Sequence, residues 1–126
     1  MRTWFVAIVL GVLMVWAPLD ASDAADSAYA LNREGMIAMS EARFTEAIDA
    51  FERASTLVLD YGILGRPLMY TPVFMTGWAS EKIEAVSSAC MAYRRFLNIA
   101  PKDAIEETKA EHATAYLATN CGRPDR

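Results

Sequence analysis

Histidine occurs once in this chain of 126 residues, cysteine twice and proline five times, and lysines and arginines nowhere form a run. Each scarcity removes a class of function. Zinc takes three or four N, S or O ligands, which His112 and two distant cysteines do not supply. Activation of a Ser or Cys nucleophile needs a base, and His112 would have to provide it alone. Cys90 and Cys121 are too far apart for a C-x-x-C or haem-attachment motif. A formal net charge of −4, with no basic cluster, argues against nucleic acid and against a polybasic lipid patch. Neither a phosphate loop nor a dinucleotide fingerprint is present, so no metal or other cofactor is expected. Acidic residues are plentiful, but Glu41, Glu46, Asp49 and Glu52 interleave with Arg43 and Arg53 at helical surface spacing, which reads as a solvated face.

The one long hydrophobic run is at the start. Arg2 precedes an apolar stretch from Trp4 to Ala17, closed by Pro18. At about 14 residues it has the length of a secretory signal core and falls short of the roughly 20 a spanning helix needs. Ser22 and Ala24 place small residues where a signal peptidase inspects the chain, and Asp20 and Asp23 mark the polar exit. The expectation is a signal peptide over 1–24 and a periplasmic or secreted protein. The alternative is an uncleaved N-terminal membrane anchor, with the same domain held outside the cytoplasm.

The rest of the chain is enough for one domain, and none of it reads as strand. A short linker at 25–27 is expected to lead into helices. Leu31, Ile37, Ala38 and Met39 mark the first, from Ala28 to Ala42. Phe44, Ala47, Ile48, Phe51 and Ala54 form an i, i+3, i+4, i+7 stripe over Phe44 to Leu57, so two antiparallel helices joined by a tight turn are predicted. Gly62, Gly65 and Pro67 interrupt the pattern before Thr71 and Pro72 restart it, Thr as a cap and Pro in the first turn. A fourth helix runs from about Glu84 to Ala100 and is stopped by Pro101. A fifth carries Ile105, Ala113, Tyr116 and Leu117, with Asn120 and Gly122 as stop residues.

These hairpins repeat. Gly35, Ala47, Phe51 and Ala54 each recur 42 residues later as Gly77, Ala89, Tyr93 and Phe96. A small residue in one helix, then Ala and an aromatic in the next, then a closing Pro (here Pro101) resembles the tetratricopeptide repeat. The family unit is about 34 residues, so the excess is read as an insertion over 62–69. The family's Trp is replaced by Leu31 and Val73, its Leu by Glu34 and Thr76, and its Tyr by Ala38 and Ser80; Leu59 stands where the first closing Pro would be. The resemblance implies an all-α fold of tandem antiparallel hairpins, a short α-solenoid. Its repeats would span 28–61 and 70–103, with a capping helix at 104–120 and a tail at 122–126. A generic helical bundle is the alternative.

The resemblance also implies a concave groove lined by the first helix of each unit. Tyr29, Asn32, Met36 and Met39 would line it from the first unit, and Phe74, Trp78, Glu81 and Lys82 from the second. Met and aromatic side chains suit an adaptable surface for a helix or extended peptide. The insertion residues Ile63, Leu64, Pro67, Leu68 and Met69 are apolar for a loop. Groove and insertion could instead pack on one another, or form a homodimer seam. Cys90 early in one helix and Cys121 just past the next are placed for a structural disulfide, since antiparallel helices bring such ends together. A free buried thiol and a redox or metal role are the alternatives. His112 reads as a half-exposed surface residue near Lys109 and Tyr116. The expected function is a non-catalytic module binding a protein or peptide, as an assembly factor or accessory subunit, ahead of a self-associating structural protein and, last, a redox or enzymatic one.

Overall fold

The computed structural model describes residues 20–62, 70–100 and 107–122. They form five helices: α1 (Ala21–Ser40), α2 (Phe44–Asp60), α3 (Thr71–Lys82), α4 (Val86–Ile99) and α5 (Glu107–Asn120), with no strand among the described residues. The apolar run at the start of the chain, the insertion residues 63–69 and Pro101 lie outside the described residues. Among the described residues, no helix is long and apolar enough to cross a membrane. Sequence neighbours are spatial neighbours: α1 packs on α2, α2 on α3, α3 on α4 and α4 on α5, with a smaller contact between α1 and α3.

α1 begins at Ala21, ahead of the expected start at Ala28, and residues 25–27 are helix rather than linker. Asp20 causes this. Its carboxylate accepts a hydrogen bond from the Asp23 backbone N–H at 2.8 Å, satisfying one of the free donors of the first turn. Ala24, Ala25 and Ala28 are then buried as small residues of this extended helix. At α3 the expected capping by Thr71 is not made. Tyr70 takes the N-cap position without a side-chain bond, and Pro72 lies in the first turn where it forfeits no hydrogen bond.

The turns between α1 and α2 and between α3 and α4 are the same structure. Each helix ends in a Schellman motif, in which two orphan carbonyls of the last turn are taken up by the outgoing chain. Arg43 N–H donates to Ala38 O at 2.8 Å and Ala42 N–H to Met39 O at 3.1 Å. Forty-two residues on, Ala85 N–H donates to Ser80 O at 2.9 Å and Glu84 N–H to Glu81 O at 3.0 Å. Ala42 and Glu84 hold the left-handed position, both at φ 59°, where glycine is the usual choice.

The packing beneath the turns repeats too. A Cβ on Gly35 would stand 2.5 Å from the Phe51 ring, and one on Gly77 would stand 2.5 Å from the Tyr93 ring. In each pair the aromatic lies against bare backbone, and both rings are fully buried. Ala47, Ala54, Ala89 and Phe96 are fully buried beside them, so the residues picked out by their spacing are core. α3 is the most enclosed helix, with Pro72 to Gly77, Ala79 and Ser80 all buried. Its two buried hydroxyls are satisfied locally: Thr76 Oγ1 donates to Pro72 O at 2.9 Å and Ser80 Oγ to Thr76 O at 2.7 Å.

Candidate functional site

Three helices meet at one carboxylate. Glu81, in the last turn of α3, accepts a hydrogen bond from the Tyr93 hydroxyl of α4 through its Oε2. His112, midway along α5, brings Nε2 to 2.6 Å from the same oxygen. With a carboxylate as partner, Nε2 carries the proton and donates. Aromatic rings enclose this junction. Trp78 stacks on the His112 ring at 6.0 Å between centroids, while Phe74 and Tyr93 meet its edge at 5.9 Å and 5.6 Å. Tyr116, one turn along α5 from His112, packs edge-on against Tyr93 at 5.3 Å.

Electrostatics follow from this enclosure. Burial pushes the Tyr93 phenol well above its ordinary value; the bond to Glu81 and that residue's negative charge act in the same direction. Tyr93 therefore remains a protonated donor throughout the physiological range. Tyr116 is also pushed up, first by burial and then by Glu81. The junction fixes α5 against α3 and α4. Among the described residues, no group of three or more His, Cys, Asp or Glu is placed to hold a metal ion.

The residues expected to line a groove do not share one environment. Met36 and Trp78, equivalent at the offset of 42, are 45% and 41% exposed. Tyr29 is half-buried against Ala28 and Val58, and Met39 half-buried against the main core. Lys82 is exposed. Asn32 turns Oδ1 inward, where it is buried and meets no donor. Phe74 is corrected from groove to core. It is 2% exposed, at the centre of rings from Trp78, Tyr93, Phe96 and His112, because α5 lies over it. Glu81 is likewise engaged within the fold rather than open to a ligand. A surface depression of about 520 Å³ between α1 and α2 shares none of these residues. Its polar wall is partly self-satisfied, since Arg43 pairs with both Glu41 and Glu46.

Cys90 and Cys121 form a disulfide, with 5.7 Å between their Cα atoms, so the end of α5 is bonded to α4. Arg94 adds a donor to Cys121 O at 3.2 Å. His112 is half-exposed as expected, but the sequence carries no sign of its bond to Glu81 or of its aromatic neighbours. The two residues are 31 positions apart and on helices with no shared pattern, so no local spacing announces the contact. No protein-family model, no curated protein and no solved structure matches the chain.

Proposed function

We propose that this chain is an exported helical-repeat protein of tetratricopeptide type that binds a protein or peptide partner and does not catalyse a reaction. The observation that carries the reading is the duplication of one hairpin at an offset of 42 residues. It extends from sequence to the Schellman turn and to the glycine–aromatic contact. Repeats of this kind stack into a curved array with a recognition face formed by the first helix of each unit. On that face Met36 and Trp78 are exposed at equivalent positions, one from each unit. Beyond the two units, α5 packs on α4 and is bonded to it through Cys90–Cys121, extending the array by a fifth helix. Export is supported by the apolar run behind Arg2 and by a disulfide, which persists in oxidising compartments. Retention of the run would anchor the domain to the membrane; its removal would leave a periplasmic or secreted protein.

The test is affinity capture from the exported fraction with wild type and with Met36→Ala combined with Trp78→Ala. Loss of a specific captured protein, with an unchanged melting curve, supports the recognition face; equal recovery eliminates it. A second reading is self-association. It is favoured by Ile83 and Val86, 43% and 42% exposed beside the second turn. Light scattering that finds only monomer at high micromolar concentration would rule it out.

A further inference from the structure

We infer that α5 is a releasable cap, held down by the Cys90–Cys121 disulfide, and that a dithiol reductant frees it from the rest of the fold. This stands apart from the partner-binding reading and does not depend on it.

α5 buries very little of itself. Ala113 is its one fully buried residue; Ala110, Tyr116 and Leu117 are only partly covered where they touch the core. By contrast α2, α3 and α4 each bury five or more residues. A helix of 14 residues with so small an apolar footprint has no strong tendency to remain helical or docked by itself. Specific tethers make up the difference. One is the His112–Glu81 bond, which is half-exposed at the histidine and therefore weakened by solvent. Another is Arg94 donating to Cys121 O. A further tether is covalent, and it lies at the opposite end of α5 from its entry, so the helix is pinned where it would otherwise fray.

Beneath the cap lies an aromatic face. Phe74 and Tyr93 are each 2% exposed or less, and α5 sets His112 against both and Tyr116 against Tyr93. Lifting α5 would open those rings and leave Trp78 without its stacking partner. The first hairpin and α3–α4 retain their own contacts, including both glycine–aromatic pairs, so release is local.

The chemistry is thiol–disulfide exchange. Cys90 is 6% exposed while Cys121 is half-buried, so the Cys121 sulfur is the one a small dithiol reaches. A thiolate of the reductant attacks it, the S–S bond breaks, and Cys90 leaves as a thiolate that takes a proton. The reductant's second thiolate then attacks the mixed disulfide. Cys121 leaves in turn, and the reductant is oxidised to its own disulfide with two electrons transferred. Opening a link of sequence separation 31 gives back chain entropy worth roughly a several-hundred-fold change in the docking equilibrium.

The experiment is hydrogen exchange by mass spectrometry on the full chain, oxidised and in dithiothreitol, with alkylation to count two free thiols. Protection of α5 should fall roughly a hundredfold or more while α1 to α4 keep theirs. The double variant Cys90→Ser, Cys121→Ser should reproduce that pattern without reductant. Persistent protection of α5 with both thiols alkylated would overturn the inference. So would loss of protection in all five helices together, which would make the disulfide a global staple.

Discussion

In α1–α2 the ring lying on the glycine is Phe51, a hydrocarbon with no polar group to satisfy. In α3–α4 it is Tyr93, whose hydroxyl reaches Glu81. Three further differences between the hairpins have this sense. Where the first carries Met36 and Met39, the second carries Trp78 and Glu81; where the first has Asn32, the second has Phe74. The backbone is the same in both, down to the left-handed residue of the turn. What changed is the set of side chains facing α5. A duplicated frame thus keeps its close backbone approach, which packing enforces, and varies the positions where a third element docks. The shared residues set the close approach within each hairpin, and the divergent ones set the docking of α5.

Removing the shared aromatic should produce the largest effect. Phe51→Ala and Tyr93→Ala each delete a fully buried ring, at a cost of about 3–5 kcal/mol in chemical denaturation. The place where protection is lost tells the hairpins apart: Tyr93→Ala should loosen α5 in hydrogen exchange, and Phe51→Ala should not. Equal loosening would mean that the hairpins do not differ in what they hold.

Alkali should separate the hairpins next. The Tyr93 phenol is raised in the folded state above its ordinary value near 10. Between the unfolded and folded values, the native chain retains a proton that the unfolded chain has released. Stability is therefore complete below about pH 10 and falls above it, at up to about 1.4 kcal/mol per pH unit. Tyr93→Phe should flatten that slope in denaturation curves taken across the alkaline range. A slope unchanged by this substitution would remove Tyr93 as its source.

Smaller effects should follow from the polar junction. Tyr93→Phe at neutral pH should cost about 1 kcal/mol, and His112→Ala about 0.5–1 kcal/mol because the pair is half-exposed. As small as the His112 effect, and opposite in sign, are those of Ala42→Gly and Glu84→Gly. Each relieves a left-handed residue and should raise stability by about 0.5–1 kcal/mol, equally in the two turns.

The helices and their order are readable because the apolar residues recur at helical spacing and the two units repeat at one offset. The buried set Ala47, Phe51, Ala54, Ala89, Tyr93 and Phe96 can be read from that repetition alone, and the Cys90–Cys121 pairing from antiparallel neighbours. The early start of α1 is hidden because the Asp20 cap lies inside what reads as the exit from a signal segment. The burial of Phe74 is hidden for a different reason. It is covered in part by His112 of α5, a polar residue whose inward tertiary contact no local period encodes. The Glu81–His112 bond fails to show for the same reason.

Alanine at the two glycines, placed with and without the ring above, puts the matched close approach to trial. In an open helix position, Gly→Ala stabilises by about 1 kcal/mol. Here Gly35→Ala and Gly77→Ala should each destabilise wild type, by about 1–3 kcal/mol, since the new methyl meets a packed ring. In the Phe51→Leu and Tyr93→Leu backgrounds the same changes should become neutral or stabilising, at both sites alike. Stabilisation by either alanine in the wild-type chain would contradict the ring-on-backbone contact, and with it the duplicated hairpin.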